Sequence, residues 1–385
     1  MRLCLIGHSA GALLGQPDGG SERQTALVAT SMARRGHEVT LVVPGYSGDE
    51  MVVDGVSLRS GWEPSRGVRF VRALSYRHPA LRNILTSLGA DTYYFRGFSF
   101  FTPTIVKAAR SLTAVSILAL TSDHDLEPES GRHHFGIGGP ALFELSGRLG
   151  YEWFRRTTLS GVDCVVVQNE TQLTACAKKE LNCRLLPSIL DDAWAECQGI
   201  PLSADVVWVG NVGDWRSRSK GIEDLTRLAE RLPAVKFVVV GEISALRGTD
   251  VLQRLERAPN VKLTGALTHD ETVRHIAGAS VVLNTSPSEG FSNVMLEGWS
   301  LRKPAVSLWV DPDHLLTAGG LGVCAGGDED RMASELRSLL DDPARRAAMG
   351  DSARAYVLAV HGAAGVCARL ELLVRSLAVQ PRPST

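Results

Sequence analysis

The chain has 385 residues, a formal net charge of −1, a hydrophobic content of 44% and a charged content of 22%. This length is enough for two domains of ordinary size, and the near-neutral charge argues against a nucleic-acid-binding surface. No apolar run reaches the ~20 residues of a membrane-spanning helix, and the first residues predict a strand instead of a signal peptide. The seven cysteines are scattered without a CxxC pair, so we expect a cytoplasmic protein with reduced thiols.

Short apolar runs typical of buried strands alternate with amphipathic helical runs from one end of the chain to the other. That alternation predicts parallel sheets with crossover helices, and so an α/β protein. A stretch without periodicity, residues 188–203, predicts a linker between two domains. The strands are predicted at residues 2–7, 37–44, near Val56 and Val68, and at 91–95, 114–120, 162–168, 183–187, 204–210, 235–241, 261–265, 281–283, 305–308 and 321–325.

A long glycine-rich loop follows the first predicted strand and ends at Gly19 and Gly20. Glycines at the start of a helix let the backbone approach a ligand closely, and Ser21 is placed to cap the helix predicted at 23–35. The loop lacks the GxGxxG spacing of a dinucleotide site. Its length favours a functional loop over a plain connection.

Two other strand ends in the first half carry ionisable side chains. Arg96 ends one strand, where it either faces a ligand crevice or forms a surface salt bridge. Asp123, His124 and Asp125 directly follow another buried strand, which is a placement typical of active sites. From the residues alone, the three side chains fit either a metal chelate or plain polar structure.

The second half begins with a strand whose following loop is rich in cations. Residues 211–221 contain Arg216, Arg218 and Lys220, directly before an amphipathic helix. Basic groups between a strand and a helix suit a diphosphate. The alternative is a solvated basic loop.

An apolar strand at 281–283 is followed by a tight polar turn and another helix. Ser292 or Asn293 is placed to cap that helix, and Arg302 and Lys303 are placed in its last turn. Because the first N–H groups of a helix have no partner within it, they point at the turn. The segment therefore predicts an anion-binding site.

Two carboxylates flank this helix start. Glu289 lies in the turn, and Glu297 follows about a turn and a half into the helix, at about 3.6 residues per turn. At that depth Glu297 is placed to hold sugar hydroxyls from the side instead of a phosphate. The alternative is a solvated loop residue and an ordinary residue on a helix face.

The run Glu289-Gly290-Phe291, followed by Glu297, resembles the paired-glutamate motif of the retaining glycosyltransferases of family 4. The resemblance implies that Glu289 contacts the donor sugar and that Glu297 holds the ribose hydroxyls. It also implies that the helix start after Phe291 receives the diphosphate.

The resemblance covers nearly the whole chain and implies the GT-B fold, with two Rossmann-like, doubly wound parallel-sheet domains facing a cleft. It places the acceptor domain at residues 1–190 and the nucleotide-sugar domain at 200–361. A C-terminal helix at about 362–385 is expected to pack back on the first domain.

On the donor side, the family has a Gly-Arg pair where this chain has Asn211. Arg216 or Arg218 is therefore expected to supply the missing cation beside Lys220. The strand end at Gly241 and the backbone near Leu267 complete the expected donor site, with Leu267 next to the base.

On the acceptor side, the resemblance favours an acceptor or phosphate-facing loop at Gly19 and Gly20, and Arg96 is grouped with them because of its place at a strand end. The segment from His124 is similar to the family's His-Asp-Leu-(Phe/Trp)-Pro-Glu element, whose histidine lies near the reacting sugar. The extra Asp123 leaves open whether Asp123 or His124 takes that position. This resemblance competes with the DxD metal site of GT-A transferases, which lack the later glutamate pair on a second sheet.

The expected function is transfer of a sugar from a UDP- or GDP-type donor to a hydroxyl of a glycan, a lipid-linked acceptor or a small molecule. The resemblance implies retention of anomeric configuration. We expect no metal or other cofactor, because cationic residues and the helix end would take the charge of the diphosphate. Membrane association is expected to be peripheral at most, and no nucleic-acid partner is expected. The alternatives are a GT-B epimerase or phosphorylase, a non-catalytic nucleotide-sugar-binding subunit, and a two-domain solute-binding protein.

Overall fold

The structure is a computed structural model that describes residues 1–63, 65–67, 73–126, 141–191, 200–212, 220–243 and 246–379, with the backbone alone at 141–149. The chain divides into two compact units. The N-terminal unit comprises Met1–Ile189 and Ala363–Thr385, and the C-terminal unit comprises Leu190–Gly362.

An eight-stranded sheet forms the centre of the N-terminal unit. Its strands are β1 (Arg2–Ile6), β2 (Glu38–Val43), β3 (Met51–Val53), β4 (Val56–Ser60), β5 (Thr92–Arg96), β6 (Val115–Ala119), β7 (Cys164–Val167) and β8 (Cys183–Leu185). The order is β3-β4-β2-β1-β5-β6-β7-β8, with the edge pair β3–β4 antiparallel and the other pairs parallel. The crossover helices are α1 (Gly20–Arg34), α2 (His78–Leu88), α3 (Thr102–Ser111), α4 (Ala141–Leu159) and α5 (Glu170–Ala177).

A six-stranded parallel sheet forms the centre of the C-terminal unit. Its strands are β9 (Ala204–Val209), β10 (Phe237–Val240), β11 (Val261–Gly265), β12 (Ala279–Asn284), β13 (Ala305–Ser307) and β14 (Gly322–Cys324). The order is β11-β10-β9-β12-β13-β14, which is a doubly wound arrangement. The helices are α6 (Ile222–Arg231), α7 (Asp250–Arg257), α8 (His269–Ala277), α9 (Asn293–Ser300), α10 (Glu329–Asp341) and α11 (Pro343–His361).

The central strands are mostly apolar because a parallel sheet is covered by helices on both faces. All six residues of β12 and all five of β6 are buried. Each sheet therefore has its own apolar core, with Tyr93 and Phe95 in the N-terminal unit and Trp208 and Phe237 in the C-terminal unit. Among the described helices, none is long and apolar enough to cross a membrane.

The last helix, α12 (Ala363–Val379), belongs to the N-terminal unit. Its Glu371 accepts hydrogen bonds from the Arg35 guanidinium at 2.7 and 2.9 Å and contacts His37 Nε2 at 2.8 Å. The hydrogen bonds from Arg35 and His37 lower the pKa of the Glu371 carboxyl to about 2. This cluster fastens α12 to the end of α1.

Two helix boundaries differ from the sequence-based expectation. α1 begins at Gly20 with Gly19 in the N-cap position, so Ser21 lies inside the helix and does not cap it. α9 ends at Ser300, which leaves Arg302 and Lys303 beyond its last turn. Both differences are small, because helix ends are weakly marked in a sequence. At the start of α1, Gly19 has no side chain that could mark it as the cap, so Ser21 is the more obvious candidate.

Two further differences concern the N-terminal sheet. The short edge strand β3 was not predicted, because its three residues are exposed or half-buried and show no apolar alternation. The short strand expected near Val68 lies outside the described residues.

Candidate functional site

The candidate site lies at one edge of the C-terminal sheet, where the parallel strands β10, β9 and β12 end side by side. Ligands of open α/β sheets bind at such carboxyl ends. The loops that start here follow β9 at Gly210, β10 at Gly241 and β12 at Thr285. The last of these, residues 285–292, is called the glutamate loop below.

The turns after β9 and β10 touch each other through their backbones. A Cβ atom on Gly241 would lie 2.0 Å from the carbonyl oxygen of Gly210, so only glycine fits there. The Gly241 N–H also donates to the carbonyl of Gly265 at the end of β11, at 3.0 Å. Asn211 follows the turn after β9, and the half-buried Leu267 follows the end of β11, so the predicted donor-side positions lie at the carboxyl ends of neighbouring strands.

Lys220 is held against the start of the glutamate loop. The Thr285 hydroxyl donates to the Lys220 carbonyl at 2.9 Å, and the Trp208 indole N–H donates to the Thr285 hydroxyl at 2.9 Å. Gly221 has φ of +64°, and a Cβ atom there would lie 2.0 Å from the carbonyl oxygen of Thr285. The backbone at Lys220 and Gly221 is thus held at two points by Thr285, which lies 65 positions after Lys220.

Glu289 carries the central contact of the site. Its Oε1 accepts from Lys220 Nζ at 2.8 Å and from the Ser286 hydroxyl at 2.7 Å, and its side chain is 15% exposed. Burial alone would raise the pKa of the Glu289 carboxyl, but the Lys220 charge and three hydrogen bonds outweigh burial and lower it. Glu289 is therefore a carboxylate at neutral pH, held beside a cation that is 36% exposed.

Aromatic packing anchors the far end of the glutamate loop. Phe291 is buried, with its ring centroid 4.8 Å from that of His361 and 6.0 Å from that of Trp299. Gly290 is buried next to it. The loop is therefore pinned at Thr285 and at Phe291, with Glu289 between the two pins.

Helix α9 starts directly after the glutamate loop. Ser292 is buried at the N-cap position, where its side chain makes no capping hydrogen bond to the helix but bonds to Glu289. Asn293, the first helical residue, is half-buried. A helix start favours an anion, and that of α9 lies directly beside Glu289.

Glu297 lies inside α9 and is 5% exposed. Glu297 therefore lies on a buried face of the helix and not on a solvated one. Its burial beside the helix start is consistent with a binding role, which remains a prediction.

In the N-terminal unit, Asp123 turns toward helix α5. Its Oδ1 accepts from Asn169 Nδ2 at 2.9 Å and from Gln172 Nε2 at 3.0 Å. Burial raises the pKa of the Asp123 carboxyl, because the hydrogen bonds from the two amides only partly offset the cost of burying its charge. Asp123 is thus a partly buried carboxylate of unusual basicity at the end of β6.

The two neighbours of Asp123 have different environments. Asp125 is buried and closes the turn after β6 by accepting from the Thr121 N–H at 2.6 Å and the Ser122 N–H at 3.1 Å. His124 has an exposed side chain. Asp125 is therefore a structural residue, while Asp123 and His124 both stay candidates for the position near the sugar.

The remaining N-terminal candidates lie at other loops. Arg96 is 8% exposed and donates to the Tyr94 hydroxyl at 3.3 Å, so it is not part of a surface salt bridge among the described side chains. Gly19 and Gly20 begin α1 after a loop that Asp18 closes through the N–H groups of Ala12 and Gly19. Their proximity to a ligand remains a prediction.

Arg216 and Arg218, the two candidates for the missing cation, lie outside the described residues. Sequence reasoning missed Thr285, Ser286 and Trp208, which hold Lys220 and Glu289 in place. A signal for the first two existed, since small hydroxyl residues directly follow the apolar end of β12. Over the described part of the chain, no cluster of His, Cys, Asp or Glu side chains is placed to hold a metal ion.

Comparison with known proteins gives matches in both units. The family profile "Glycosyl transferase 4-like domain" matches residues 19–180, and the profile "Glycosyl transferases group 1" matches residues 203–342. The chain is similar to a sucrose-phosphate synthase structure from Thermosynechococcus elongatus, with a TM-score of 0.74, 18% identity and coverage of 98% of both chains. At that identity the likeness shows the fold alone.

Two relatives extend the comparison in sequence. The chain is similar to a GDP-mannose-dependent monoacylated alpha-(1-6)-phosphatidylinositol monomannoside mannosyltransferase of Corynebacterium glutamicum. The two are 32% identical over 150 residues, a match that covers 35% of this chain and 38% of that relative. The chain is 24% identical over 358 residues to a glycogen synthase of Mycobacterium tuberculosis, over 85% of this chain and 83% of the relative. One family profile covers most of each unit, and both units have the parallel sheets that the family requires. The chain therefore belongs to the group 1 glycosyltransferases of family 4, enzymes with the GT-B fold.

Proposed function

We propose that the protein is a retaining glycosyltransferase that moves a sugar from a nucleoside-diphosphate sugar to an acceptor hydroxyl. The observation that carries this proposal is the contact of 2.8 Å between Lys220 Nζ and Glu289 Oε1 at the strand ends, next to the start of α9. A cation, a helix start and a carboxylate in one place suit a pyrophosphate joined to a sugar.

In this proposal each group has one role. Lys220 and the helix start at Ser292 and Asn293 receive the diphosphate and stabilise the charge that develops on it as it leaves. Glu289 positions the sugar and stabilises the positive charge on its ring. Glu297 orients the ribose.

Because an exposed helix start contributes only about 0.3–1 kcal/mol toward an anion, the lysine is the stronger of the two diphosphate partners. Arg216 or Arg218 is proposed as a second cation, in place of the arginine that the family has at the position of Asn211. With two cations and the helix start, the diphosphate needs no metal ion, and we propose a metal-independent reaction. Addition of EDTA should then leave turnover unchanged.

In the N-terminal unit, Asp123 or His124 is proposed to contact the sugar or the acceptor hydroxyl. Asp123 is suited to hold a hydroxyl proton because burial raises its pKa. Gly19, Gly20 and Arg96 are proposed to face the acceptor.

The donor is proposed to carry UDP or GDP. The name of the Corynebacterium relative specifies GDP-mannose and a phosphatidylinositol mannoside acceptor, whereas glycogen synthase is named for a polysaccharide. These names support a sugar or polyol hydroxyl as the acceptor. A cytoplasmic location, with at most peripheral contact to a membrane, is part of the same proposal.

The experiment is a thermal-shift screen with UDP, GDP and their common sugars, followed by transfer assays with the donor that stabilises the protein. One nucleotide series should raise the unfolding midpoint in proportion to the logarithm of its concentration. Glu289→Gln should keep nucleotide binding and lower turnover by about 10²-fold or more, since its role is in the transition state.

Three results would each count against the proposal in a different way. No stabilisation by any nucleotide would refute the donor site. Binding without turnover, unaffected by Glu289→Gln, would instead favour a non-catalytic nucleotide-sugar-binding subunit. Conversion of the donor without an acceptor would favour an epimerase.

A further inference from the structure

Lys220 owes its position to a buried hydroxyl on a distant strand. Thr285 is fully buried at the end of β12, and its hydroxyl lies within hydrogen-bonding distance of two groups, Trp208 Nε1 and the Lys220 carbonyl, both at 2.9 Å. The indole N–H can only donate and the carbonyl can only accept. The Thr285 oxygen must therefore accept from Trp208 and give its single hydrogen to Lys220.

These two hydrogen bonds link the backbone turn at Lys220 and Gly221 to the sheet. Trp208 lies in the buried strand β9, so its indole is a rigid partner. Through Thr285, the ends of two neighbouring strands hold the Lys220 carbonyl in one place. The close approach of Gly221 to the Thr285 carbonyl also leaves the next residue little room to move.

The side chain of Lys220 then reaches Glu289 from a backbone that cannot shift freely. Its ammonium group is 2.8 Å from Glu289 Oε1 although the side chain is 36% exposed, and an exposed lysine otherwise samples many rotamers. A fixed backbone limits that sampling, which is the usual requirement for a preorganised charge.

We infer that Thr285 is a positioning residue, whose hydroxyl, held by Trp208, sets the Lys220 ammonium group at the place where a donor diphosphate binds. This inference rests on the proposed function, because the diphosphate role of Lys220 belongs to that proposal. Thr285 itself touches no substrate in this account and acts through Lys220.

The variant Thr285→Val keeps the shape of the side chain and removes the hydroxyl, whereas Thr285→Ser keeps the hydroxyl. Thr272→Val is the matched control, because Thr272 is also buried in the C-terminal unit and its hydroxyl makes a helix-internal bond of 2.9 Å to the Thr268 carbonyl. Thermal unfolding of each variant shows whether the fold is kept.

The functional measurement is the affinity of each variant for UDP and for GDP. Each variant is measured in the wild-type background and in the Lys220→Met background. Thr285→Val should weaken binding by about tenfold, on the scale of one buried polar group left without its partner. Thr285→Ser should restore most of the affinity, and Thr272→Val should leave it unchanged. In the Lys220→Met background, Thr285→Val should change affinity by less than about twofold, since coupled residues are not additive.

A second measurement does not depend on the proposed function. Amide hydrogen exchange at Lys220 and Gly221, without any ligand, should become faster in Thr285→Val and stay unchanged in Thr272→Val. If exchange is unchanged, Thr285 does not hold the turn and the inference is overturned. If exchange accelerates but the wild-type protein binds neither nucleotide, the proposed function fails while the positioning of Lys220 stands. An equal loss of affinity in both lysine backgrounds would show a general structural role and overturn the inference.

Discussion

The substitution Gly221→Ala tests whether the close contact between Gly221 and Thr285 organises the site. Gly221 has φ of +64°, a conformation that costs an L-residue about 1–2 kcal/mol. In addition, the new Cβ would lie 2.0 Å from the Thr285 carbonyl oxygen, about 1 Å inside the shortest distance that real Cβ atoms show. Because the obstacle is backbone and not a flexible side chain, the turn must move, and Lys220 must move with it.

Gly248 provides a matched control. It has φ of +76°, but a Cβ atom there would meet no other atom within 4 Å. Gly248→Ala therefore carries the conformational cost alone, which corresponds to a lower unfolding midpoint by about 2–4 °C per kcal/mol in a unit of this size. Gly221→Ala should lower the midpoint by at least twice as much.

The two variants should differ more clearly in ligand binding. A displacement of about 1 Å at a charged contact can cost up to 10²-fold in function, so Gly221→Ala should weaken UDP or GDP binding by at least tenfold. Gly248→Ala should leave that affinity unchanged. Equal midpoints and equal affinities for the two variants would show that the turn accommodates the new methyl group and that the close contact does not organise the site.

Two further predictions concern carboxylates with shifted pKa values. Because burial raises the pKa of Asp123, its ionised form destabilises the folded protein. Asp123→Asn should therefore raise the unfolding midpoint at pH 7 by a few degrees, on the scale of about 1 kcal/mol. This gain in midpoint should vanish below the ordinary pKa of the carboxyl, and a gain that persists there would contradict the proposed cause. Hydrogen bonds lower the pKa of Glu371 to about 2 in the folded protein. Its carboxylate therefore stabilises the fold at pH values above the pKa of the unfolded chain, and this stability is lost as the pH falls toward the pKa of the folded protein. After allowance for solvent screening, Glu371→Gln should cost about 1–2 kcal/mol at pH 7, with the difference narrowing from about pH 5 toward pH 3 in midpoint measurements. A cost that does not change with pH would mean that packing of α12, and not the ion pair, holds the helix in place.

The strand and helix pattern could be predicted because parallel sheets bury both faces of their strands. Segments such as β12 are buried throughout around an apolar run, Val281 to Leu283, and the end of that run is marked by a change to small polar residues. The exposed edge strand β3 has no such mark, and it owes its existence to pairing with β4. Hydrophobic periodicity does not predict which strand pairs with β3.

The candidate site could be predicted in part for a related reason. Glu289 and Lys220 each lie between a strand and a helix, and this position makes each of them predictable as a site residue from the sequence. The contact between the two residues is not predictable in this way. The contact between them joins residues 69 positions apart, and the bond from Thr285 to the Lys220 carbonyl joins residues 65 apart. Such contacts depend on the order β9 next to β12 in the sheet, which periodicity does not reveal.

The balance of charge around Glu289 ties the structure to the proposed chemistry. Burial disfavours the carboxylate, and Lys220 provides the largest opposing effect. A diphosphate that takes over the lysine would remove part of that support, so the carboxylate would become less stable at the moment the sugar arrives beside it. Positive charge developing on the sugar ring would then replace the lysine as the partner of Glu289, and this replacement favours the transition state over the bound donor. If the proposed function is right, the ion pair with Lys220 keeps Glu289 ionised until the donor supplies a better partner.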